Sequence, residues 1–181
     1  MKLETKRLIL RPWKLEDAEY LYMYAKEPEV GPSAGWPPHQ SVEESREIIE
    51  KILSAEYTFA LVCKETNHPI GSMGLSMKSD LVEKDGEAEV GYWIGVPFWG
   101  QGLVTEALEE VLRYAFEDLM LDKVWVSCFV ENHGSKRVQE KCGFTLQYKC
   151  RDKYLPLLDV TRESYISSIG KEEWVQRRKK K

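Results

Sequence analysis

Apolar residues recur along this chain at helical spacing in three places. The clearest repeat has a period of four residues and predicts a helix from about residue 102 to 119, with one buried face: Leu103, Ala107, Val111, Ala115 and Leu119. A weaker stripe predicts a first helix on Ala18, Leu21, Tyr22 and Ala25. A second helix follows the capping box Ser41-Val42-Glu43-Glu44, with its apolar face on Ile48, Ile49, Ile52 and Leu53.

Short apolar runs between turn residues predict the strands. The run 6–11, stopped by Pro12, is typical of an edge strand, and three more runs follow the second helix at 57–64, 70–78 and 87–96. Further strands are predicted at 123–130, 144–151 and about 158–168, with a short helix at 132–142 and a last helix near 172–178. The Gly- and Pro-rich segment 31–39 is predicted to be an irregular loop.

The order of these elements is β-α-α-β-β-β-α-β-α-β-β, which predicts an α+β fold with a mixed sheet. Three consecutive strands with hairpin-length links should be antiparallel, whereas the strand–helix–strand crossover through the third helix should give a parallel pair. Helices are then expected on both faces of the sheet. A length of 181 residues favours one domain, residues 1–181, with a basic tail at 177–181.

Composition and charge narrow the class of function. The net charge is −4, so no overall basic field draws the chain to nucleic acid or to a membrane surface, and neither partner is expected. The basic residues 177–181 are interpreted as a solvated tail, with an RNA- or ribosome-binding adaptor as the minority alternative. A monomer or a homodimer is expected.

The cysteines and histidines indicate neither disulfides nor a metal site. The four cysteines have no paired spacing, and the three histidines are scattered among predicted loops, so no metal is expected. The N-terminus lacks a continuous apolar run, and no segment approaches a membrane-spanning length. The expected location is therefore a reducing cytoplasm.

Two glycines mark the junction between a strand and the third helix, in the stretch Pro97-Phe98-Trp99-Gly100-Gln101-Gly102-Leu103-Val104-Thr105. The first amides of a helix have no intrahelical partner, and the helix dipole places partial positive charge there. Glycines before that point let the backbone wrap an anion such as a pyrophosphate. The stretch lacks the Lys-Ser/Thr of a P-loop, and it is not Gly-x-Gly-x-x-Gly. A plain turn would also use two glycines, so this motif alone is not decisive.

Two further motifs flank the glycines in sequence: Glu87-Ala88-Glu89-Val90-Gly91-Tyr92-Trp93-Ile94-Gly95 before them, and Asn132-His133-Gly134-Ser135 through Lys141-Cys142-Gly143-Phe144 after them. Together the three motifs resemble the GCN5-related N-acetyltransferase (GNAT) superfamily, and within it the branch of ribosomal-protein N-terminal acetyltransferases. The resemblance covers about residues 2–174 and implies transfer of an acetyl group from acetyl-CoA to a primary amine by direct attack in a ternary complex. The acceptor it implies is a protein N-terminal α-amine. Alternatives are a small-molecule amine (an antibiotic, a polyamine or a metabolite) and a CoA-binding regulator without catalysis.

By this resemblance, the helix start holds the CoA pyrophosphate and strand 87–96 pairs with the pantetheine arm. That strand is expected to contain a bulge, to which Gly91 and Gly95 are suited, and to splay from strand 123–130. The cofactor-binding residues that the resemblance implies are Trp93, Ile94, Val96, Gly100, Gln101, Gly102, Leu103, Val104, Thr105, Asn132 and Ser135. Asn132 and Ser135 would equally serve as a helix N-cap and an exposed helix serine.

The resemblance also assigns catalytic roles. Glu89 corresponds to the general base, and a main-chain N–H of Trp93 or Ile94 would meet the oxyanion. Gln139 stands where many members have a proton-donating tyrosine, so Ser135 is the expected substitute. Trp36 and Glu89 would line the acceptor site. The simpler alternatives are a solvated or salt-bridged Glu89 and a Trp36 that only anchors its loop.

Overall fold

The computed structural model describes residues 1–180, and its centre is one eight-stranded sheet. The strands are β1 (Leu3–Glu4), β2 (Leu8–Arg11), β3 (Thr58–Cys63), β4 (His68–Ser76), β5 (Glu87–Ile94), β6 (Lys123–Phe129), β7 (Thr145–Leu155) and β8 (Val160–Gly170). They lie side by side in the order β1-β2-β3-β4-β5-β6-β8-β7. All neighbours are antiparallel except β5 and β6, which are parallel, as the crossover through the third predicted helix requires.

The helices connect these strands. They are α1 (Ala18–Ala25), α2 (Val30–Ala34), α3 (Val42–Ile48), α4 (Leu103–Arg113), α5 (His133–Lys141) and α6 (Lys171–Lys179). Helices α3 and α4 continue as single π-helical segments, Ile49–Leu53 and Tyr114–Asp118. Short 3₁₀ turns lie at Leu15–Asp17 and Val96–Phe98.

Side-chain alternation along β3 divides the core between the two faces of the sheet. Phe59 and Leu61 belong to the larger apolar cluster, into which α4 and α6 pack, whereas Ala60 and Val62 belong to a second cluster with α1 and the end of α3. Both faces are therefore covered by helices. The predicted α+β class, with a mixed sheet between two helical layers, is confirmed.

The predicted apolar stripe of the third helix is also confirmed. Leu103, Ala107, Val111 and Ala115 on α4 and its π segment are all buried against the sheet. This burial packs α4 against β2 and β5, and its N-terminus lies beside the end of β5.

The parallel pair separates along its length. Pairing between β5 and β6 runs only from Glu87–Lys123 to Val90–Val126. Beyond that point β5 stays with β4 as far as Ile94, while β6 stays with β8 as far as Phe129. The expected splay is present, but the expected bulge in β5 is wrong, because its register with β4 is unbroken from Gly71–Ile94 to Ser76–Glu89. The irregularity lies one strand away, in the β3–β4 pairing at Leu61/Val62.

Three further expectations need correction. The segment 31–39 is not wholly irregular, because α2 occupies its first part and ends at Gly35 in a left-handed conformation, with φ 96°. Ile52 is 55% exposed, since the wider π turn rotates it away from the buried face that Ile49 occupies. Strand β2 is not at the edge of the sheet, because the two-residue β1 pairs with it.

The basic C-terminal run is not a free tail in the part of the chain that the structure describes. Arg177 lies in α6 and forms an ion pair with Glu109 at 2.6 Å, and Arg178 forms one with Glu117 at 2.8 Å. The Arg178 guanidinium also lies 4.8 Å from the centre of the Trp174 ring. These contacts attach α6 to α4, so both arginines have structural partners. Lys181 lies outside the described residues.

Candidate active site

The divergence of β5 and β6 opens a cavity of about 1370 Å³, lined by both strands, by the start of α4 and by the start of α5. Residues of β5 alternate between its two sides. Glu89 and Trp93 project toward the face covered by α1, α2 and α3, and Val90, Tyr92 and Ile94 project toward the face covered by α4 and α5. The splay therefore joins two chemically different half-sites through one opening.

The loop before α4 has the backbone that its glycines suggested. Gly100 and Gly102 have φ values of 73° and 75°, in the left-handed region that glycine adopts without strain. The first main-chain hydrogen bond of α4 is from Glu106 N–H to Gly102 O, at 3.0 Å, which leaves the amides of Leu103, Val104 and Thr105 directed outward. Apart from Gly100 itself and its two chain neighbours, no heavy atom of the described residues lies within 4 Å of where a Gly100 Cβ would be, so a ligand can approach this backbone closely.

Arg7 braces the same loop from outside the cavity. Its guanidinium donates to Gln101 O at 3.0 Å and to Glu106 Oε2 at 2.7 Å. Glu106 lies in the first turn of α4, but this ion pair directs its carboxylate away from the free amides. The Gln101 side chain also turns away, because its amide donates to Pro97 O at 2.9 Å. The anion-binding potential of the loop thus resides in main-chain N–H groups.

The open edge of β5 presents main-chain groups of alternate residues. Gly95 N–H donates to Ile70 O on the β4 side, at 2.8 Å, so the Trp93 N–H points the same way and those of Tyr92 and Ile94 point into the splay. The Ile94 carbonyl is already occupied, since it accepts from the Trp99 indole at 2.9 Å. The geometry favours Ile94 over Trp93 as a main-chain donor in the cleft. Val96 lies beyond the strand, in the 3₁₀ turn, and is not among the residues that line the cavity.

A cluster of hydroxyl and amide groups lies on the α5 side. The Tyr92 hydroxyl is 2.9 Å from Ser135 Oγ, and Gln139 Nε2 donates to the same oxygen at 3.3 Å. Asn132 caps α5, because its Oδ1 accepts from the Ser135 amide at 3.0 Å. Gln139, in the place of the expected tyrosine, is buried and serves to fix the serine.

The ionisation states on this side are set by burial. Burial raises the pKa of the Tyr92 phenol far above its usual range, despite its hydrogen bonds to Ser135 and Gln139. Burial also raises the pKa of the nearby Cys128 thiol. Both groups therefore remain protonated at neutral pH. A neutral Cys128 is a poor nucleophile, and Tyr92 is available as a hydrogen-bond donor.

A second chain of polar groups lies on the opposite face. Ser127 Oγ donates to Glu89 Oε1 at 3.2 Å, and Lys153 Nζ donates to Ser127 Oγ at 3.1 Å. All three residues line the cavity, and Glu89 and Lys153 are half-buried. Because Glu89 pairs only with a neutral hydroxyl in the described structure, it is not the salt-bridge partner that the simpler interpretation of the sequence allowed.

Aromatic side chains form the wall beside Glu89. The Trp36 and Trp93 rings meet edge to face with centroids 5.7 Å apart, and Trp13 lies behind Trp93 at 6.4 Å. Gly31 makes this possible, because a Cβ there would fall 2.5 Å from the Trp36 ring. Trp36 therefore lines the cavity as well as anchoring its own loop.

The structure brings Glu89, Trp93, Ile94, Asn132 and Ser135 together around one opening, as the sequence suggested, and adds three residues that sequence reasoning missed. Tyr92 could have been found from two-residue alternation, which places it opposite Glu89 on β5. Ser127 and Lys153 carried no such signal, because their contact depends on how the β7–β8 hairpin curves over the sheet. The β7–β8 register shifts between Cys150 and Lys153.

The half-site at α4 fits a phosphate-bearing cofactor by its own geometry. Free amides, left-handed glycines and the open space above Gly100 suit an anion, and the unpaired edge of β5 suits an extended arm. No helix of the described residues is long and apolar enough to cross a membrane.

Comparison with known proteins agrees with this arrangement. The family model described as "Acetyltransferase (GNAT) domain" matches residues 7–145. The chain is 34% identical to the uncharacterized N-acetyltransferase p20 of Bacillus licheniformis over 180 residues, covering 95% of this chain and 97% of that protein. It is 32% identical to the ribosomal-protein-serine acetyltransferase of Escherichia coli over 60 residues, covering 33% of this chain and 34% of that one.

Among solved structures, an acetyltransferase of the GNAT family from Bacillus anthracis superposes with a TM-score of 0.83, covering 95% of this chain and 99% of that one. Sequence identity to it is 22%, so this likeness concerns the fold. The family model spans most of the chain, and the predicted family and enzyme class are confirmed. The chain belongs to the GNAT family of acetyltransferases and is an acetyl-CoA-dependent N-acetyltransferase.

Proposed function

We propose that the two half-sites catalyse direct transfer of an acetyl group from acetyl-CoA to a primary amine, with both substrates bound at once. The observation that carries this proposal is the alternation of β5, which places Glu89 on one face of the opening and Tyr92 with Ser135 on the other. The amine would enter from the Glu89 side and the thioester from the side of α4 and α5.

Main-chain and side-chain groups along the cavity would bind the acetyl donor. The amides from Gly100 to Thr105 would hold the pyrophosphate, and the Thr105 hydroxyl could add a donor. Asn132 and the β5 edge at Tyr92 and Ile94 would hold the pantetheine arm, with the Ile94 N–H directed at the thioester carbonyl. Acetyl-CoA supplies the activated acyl group and a thiolate leaving group.

Glu89 would receive the proton of the attacking amine. A protein N-terminal α-amine, with a pKa of about 7.7, costs about 1 kcal/mol to deprotonate at pH 7, whereas a lysine amine costs about 4.6 kcal/mol. A single carboxylate, acting directly or through a water, is therefore sufficient for an α-amine. An N-terminal amine is the first acceptor class proposed, and the name of the E. coli relative supports it. A small-molecule amine is the second.

Ser135 would stabilise the leaving thiolate. The new N–C bond forms as the C–S bond breaks, so one proton leaves nitrogen and one must reach sulfur. Ser135 Oγ, held by Tyr92 and Gln139, would donate a hydrogen bond to the departing thiolate, which takes its proton from solvent, while Glu89 releases the proton of the amine to solvent. Direct transfer needs no acyl-cysteine, and the neutral Cys128 is consistent with that.

The test combines a binding and a turnover measurement. Calorimetry should show acetyl-CoA binding to the wild-type chain, and a thiol assay with a panel of N-terminal peptides, polyamines and small amines should show release of free CoA. Silence across the whole panel would contradict the proposal.

A further inference from the structure

One cation on the Glu89 side of the cleft lacks an acidic partner. Among residues 1–180, Lys153 Nζ has Ser127 Oγ as its hydrogen-bond partner and no carboxylate oxygen within 4.0 Å. Two other cations of the same hairpin are neutralised, since Lys149 pairs with Glu163 at 2.8 Å and Arg162 with Glu131 at 3.5 Å. Arg151 has no carboxylate oxygen within 4.0 Å, but it is exposed and lies outside the cavity. Lys153 is thus distinguished from the other cations of the hairpin because its unpaired charge is on a half-buried residue that lines the cavity.

Lys153 is half-buried and lines the cavity. A charge that has lost part of its hydration is stabilised poorly by one neutral hydroxyl, and an anion from a ligand would compensate it. Lysine donates in several directions, so Nζ can keep its bond to Ser127 and still bind a second acceptor atom.

The distance to the candidate base constrains where that anion can be. A single oxygen, Ser127 Oγ, separates Lys153 from Glu89, through hydrogen bonds of 3.1 and 3.2 Å. An amine held at Glu89 and an anion held at Lys153 must therefore belong to groups only a few bonds apart. An amine and a carboxylate on one carbon, two bonds of about 1.5 Å each, can span this arrangement.

The walls of the same side favour a slender acceptor. The rings of Trp36 and Trp93 flank it. On the other side, Leu155 of the β7–β8 hairpin packs beside Gly35, at the end of α2. A Cβ added to Gly35 would lie 3.6 Å from Leu155 Cδ2 and 4.0 Å from Phe129 Cζ. This contact narrows access from the hairpin side. A lysine on a folded protein surface fits such an approach less well than a free small molecule or an unfolded chain end.

We propose that the acceptor carries a carboxylate next to its amine and that Lys153 binds this carboxylate. The inference rests on the proposed acetyl transfer and specifies its acceptor. Two sources present this chemistry: a free amino acid, and a peptide or protein N-terminus whose first residue is acidic. Polyamines are disfavoured as acceptors, because their second ammonium group would lie next to the Lys153 ammonium and be repelled by it.

Matched acceptor pairs test the proposal. Phenylalanine with phenylethylamine, and tryptophan with tryptamine, differ only in the α-carboxylate, and tetrapeptides beginning with Asp or Asn differ only in side-chain charge. For the wild-type chain, kcat/KM should be about tenfold or more higher for the carboxylate member than for its partner in at least one pair. Preference in the amino-acid pairs alone identifies free amino acids, and preference in the peptides alone identifies acidic N-termini.

Two variants complete the experiment. Lys153→Met keeps the length of the side chain and should abolish the preference, because it should lower kcat/KM for the carboxylate member about tenfold more than for its partner. Lys149→Met removes the same charge from the same strand but outside the cavity and should leave the preference intact. This inference alone is overturned if the wild-type chain turns over the members without the extra carboxylate as fast as or faster than their partners. It is also overturned if Lys153→Met lowers kcat/KM equally for both members of a pair. Absence of acetyl-CoA binding, or silence with every acceptor, overturns the proposed function as well.

Discussion

The Tyr92 hydroxyl lies 2.9 Å from Ser135 Oγ, joining the splayed end of β5 to the first turn of α5. Burial keeps the phenol protonated, and Gln139 contacts the same serine oxygen from the next helical turn. Hydrogen bonds with Tyr92 and Gln139 thus orient the Ser135 hydroxyl. This orientation is what the proposed role of Ser135 requires.

Removing the serine hydroxyl should affect turnover more than binding. For Ser135→Ala we expect kcat to fall about 10²-fold or more, with little change in the affinity for acetyl-CoA, because the lost group acts on the departing sulfur. Tyr92→Phe should lower kcat by about 2- to 10-fold, as expected for one neutral hydrogen bond. Steady-state kinetics with calorimetry of acetyl-CoA binding separates the two effects.

Tyr148→Phe is the matched control, since Tyr148 is 50% exposed on β7. If Ser135→Ala retained full kcat, the thiolate would have to be stabilised by another group.

The carboxylate of Glu89 should matter most when the amine is hardest to deprotonate. Glu89→Gln keeps the acceptor for Ser127 but removes the base, so kcat/KM should fall about 10²- to 10⁴-fold at pH 7. The deficit should shrink as the pH rises toward the pKa of the amine, because free amine then no longer needs a base. A pH–rate profile of both proteins checks this, and a deficit that is constant with pH would contradict a role as base.

Substitutions of glycines in the left-handed conformation should distinguish the effect of backbone strain on stability from the loss of ligand contact. Gly100→Ala places a Cβ where φ is 73°, which costs about 1–2 kcal/mol of folding free energy, and puts a methyl group in space that is open in the free protein. We expect lower thermal stability and weaker acetyl-CoA binding, by about tenfold or more, from loss of close main-chain contact.

Gly86→Ala is the control for lost stability, since Gly86 has φ 86°, an added Cβ would also lie 2.8 Å from Asp122 Oδ2, and the residue lies away from the α4 loop. It should reduce stability without changing the dissociation constant of acetyl-CoA. Equal binding losses in both variants would mean that Gly100 acts only through stability.

Buried His39 should make stability depend on pH. Its Nδ1 lies 2.8 Å from Ser45 Oγ, and burial lowers the pKa of the ring in the folded chain. As the pH falls through about 6.5, the unfolded chain binds a proton that the folded chain resists, so the free energy of unfolding should decrease. Denaturant melts between pH 8 and 5 should show a smaller decrease for His39→Gln. Exposed His133→Gln should behave like wild type, and an unchanged slope in His39→Gln would contradict this account.

Much of the fold could be predicted from the sequence because its strongest signals are local. The repeat through Leu103, Ala107 and Val111 specifies α4 whatever surrounds it, and the glycines at 100 and 102 mark the junction. Helix α2 was missed because Gly31, Pro32 and Gly35 disfavour helix locally, whereas the chain there packs under Trp36. Tertiary packing outweighed propensity at this point.

The candidate site was predictable where it depends on motif and not where it depends on long-range contacts. Glu89, Asn132 and Ser135 lie in recognisable motifs. Tyr92 resembles a core aromatic until α5 is placed beside it, and Lys153 resembles a surface lysine until the hairpin brings it to Ser127. Arg177 likewise belongs to a run that is typical of a solvated tail, yet it pairs with Glu109 across 68 residues of sequence.

The most direct test of the central claim is the mass of the intact protein after incubation with acetyl-CoA, first without and then with an accepting amine. Direct transfer across the splay predicts an unmodified chain in the first step. In the second, acetylated amine and free CoA should appear in equal amounts. An acetyl group on Cys128 or any other residue that forms without acceptor and passes to the amine when it is added would contradict the account.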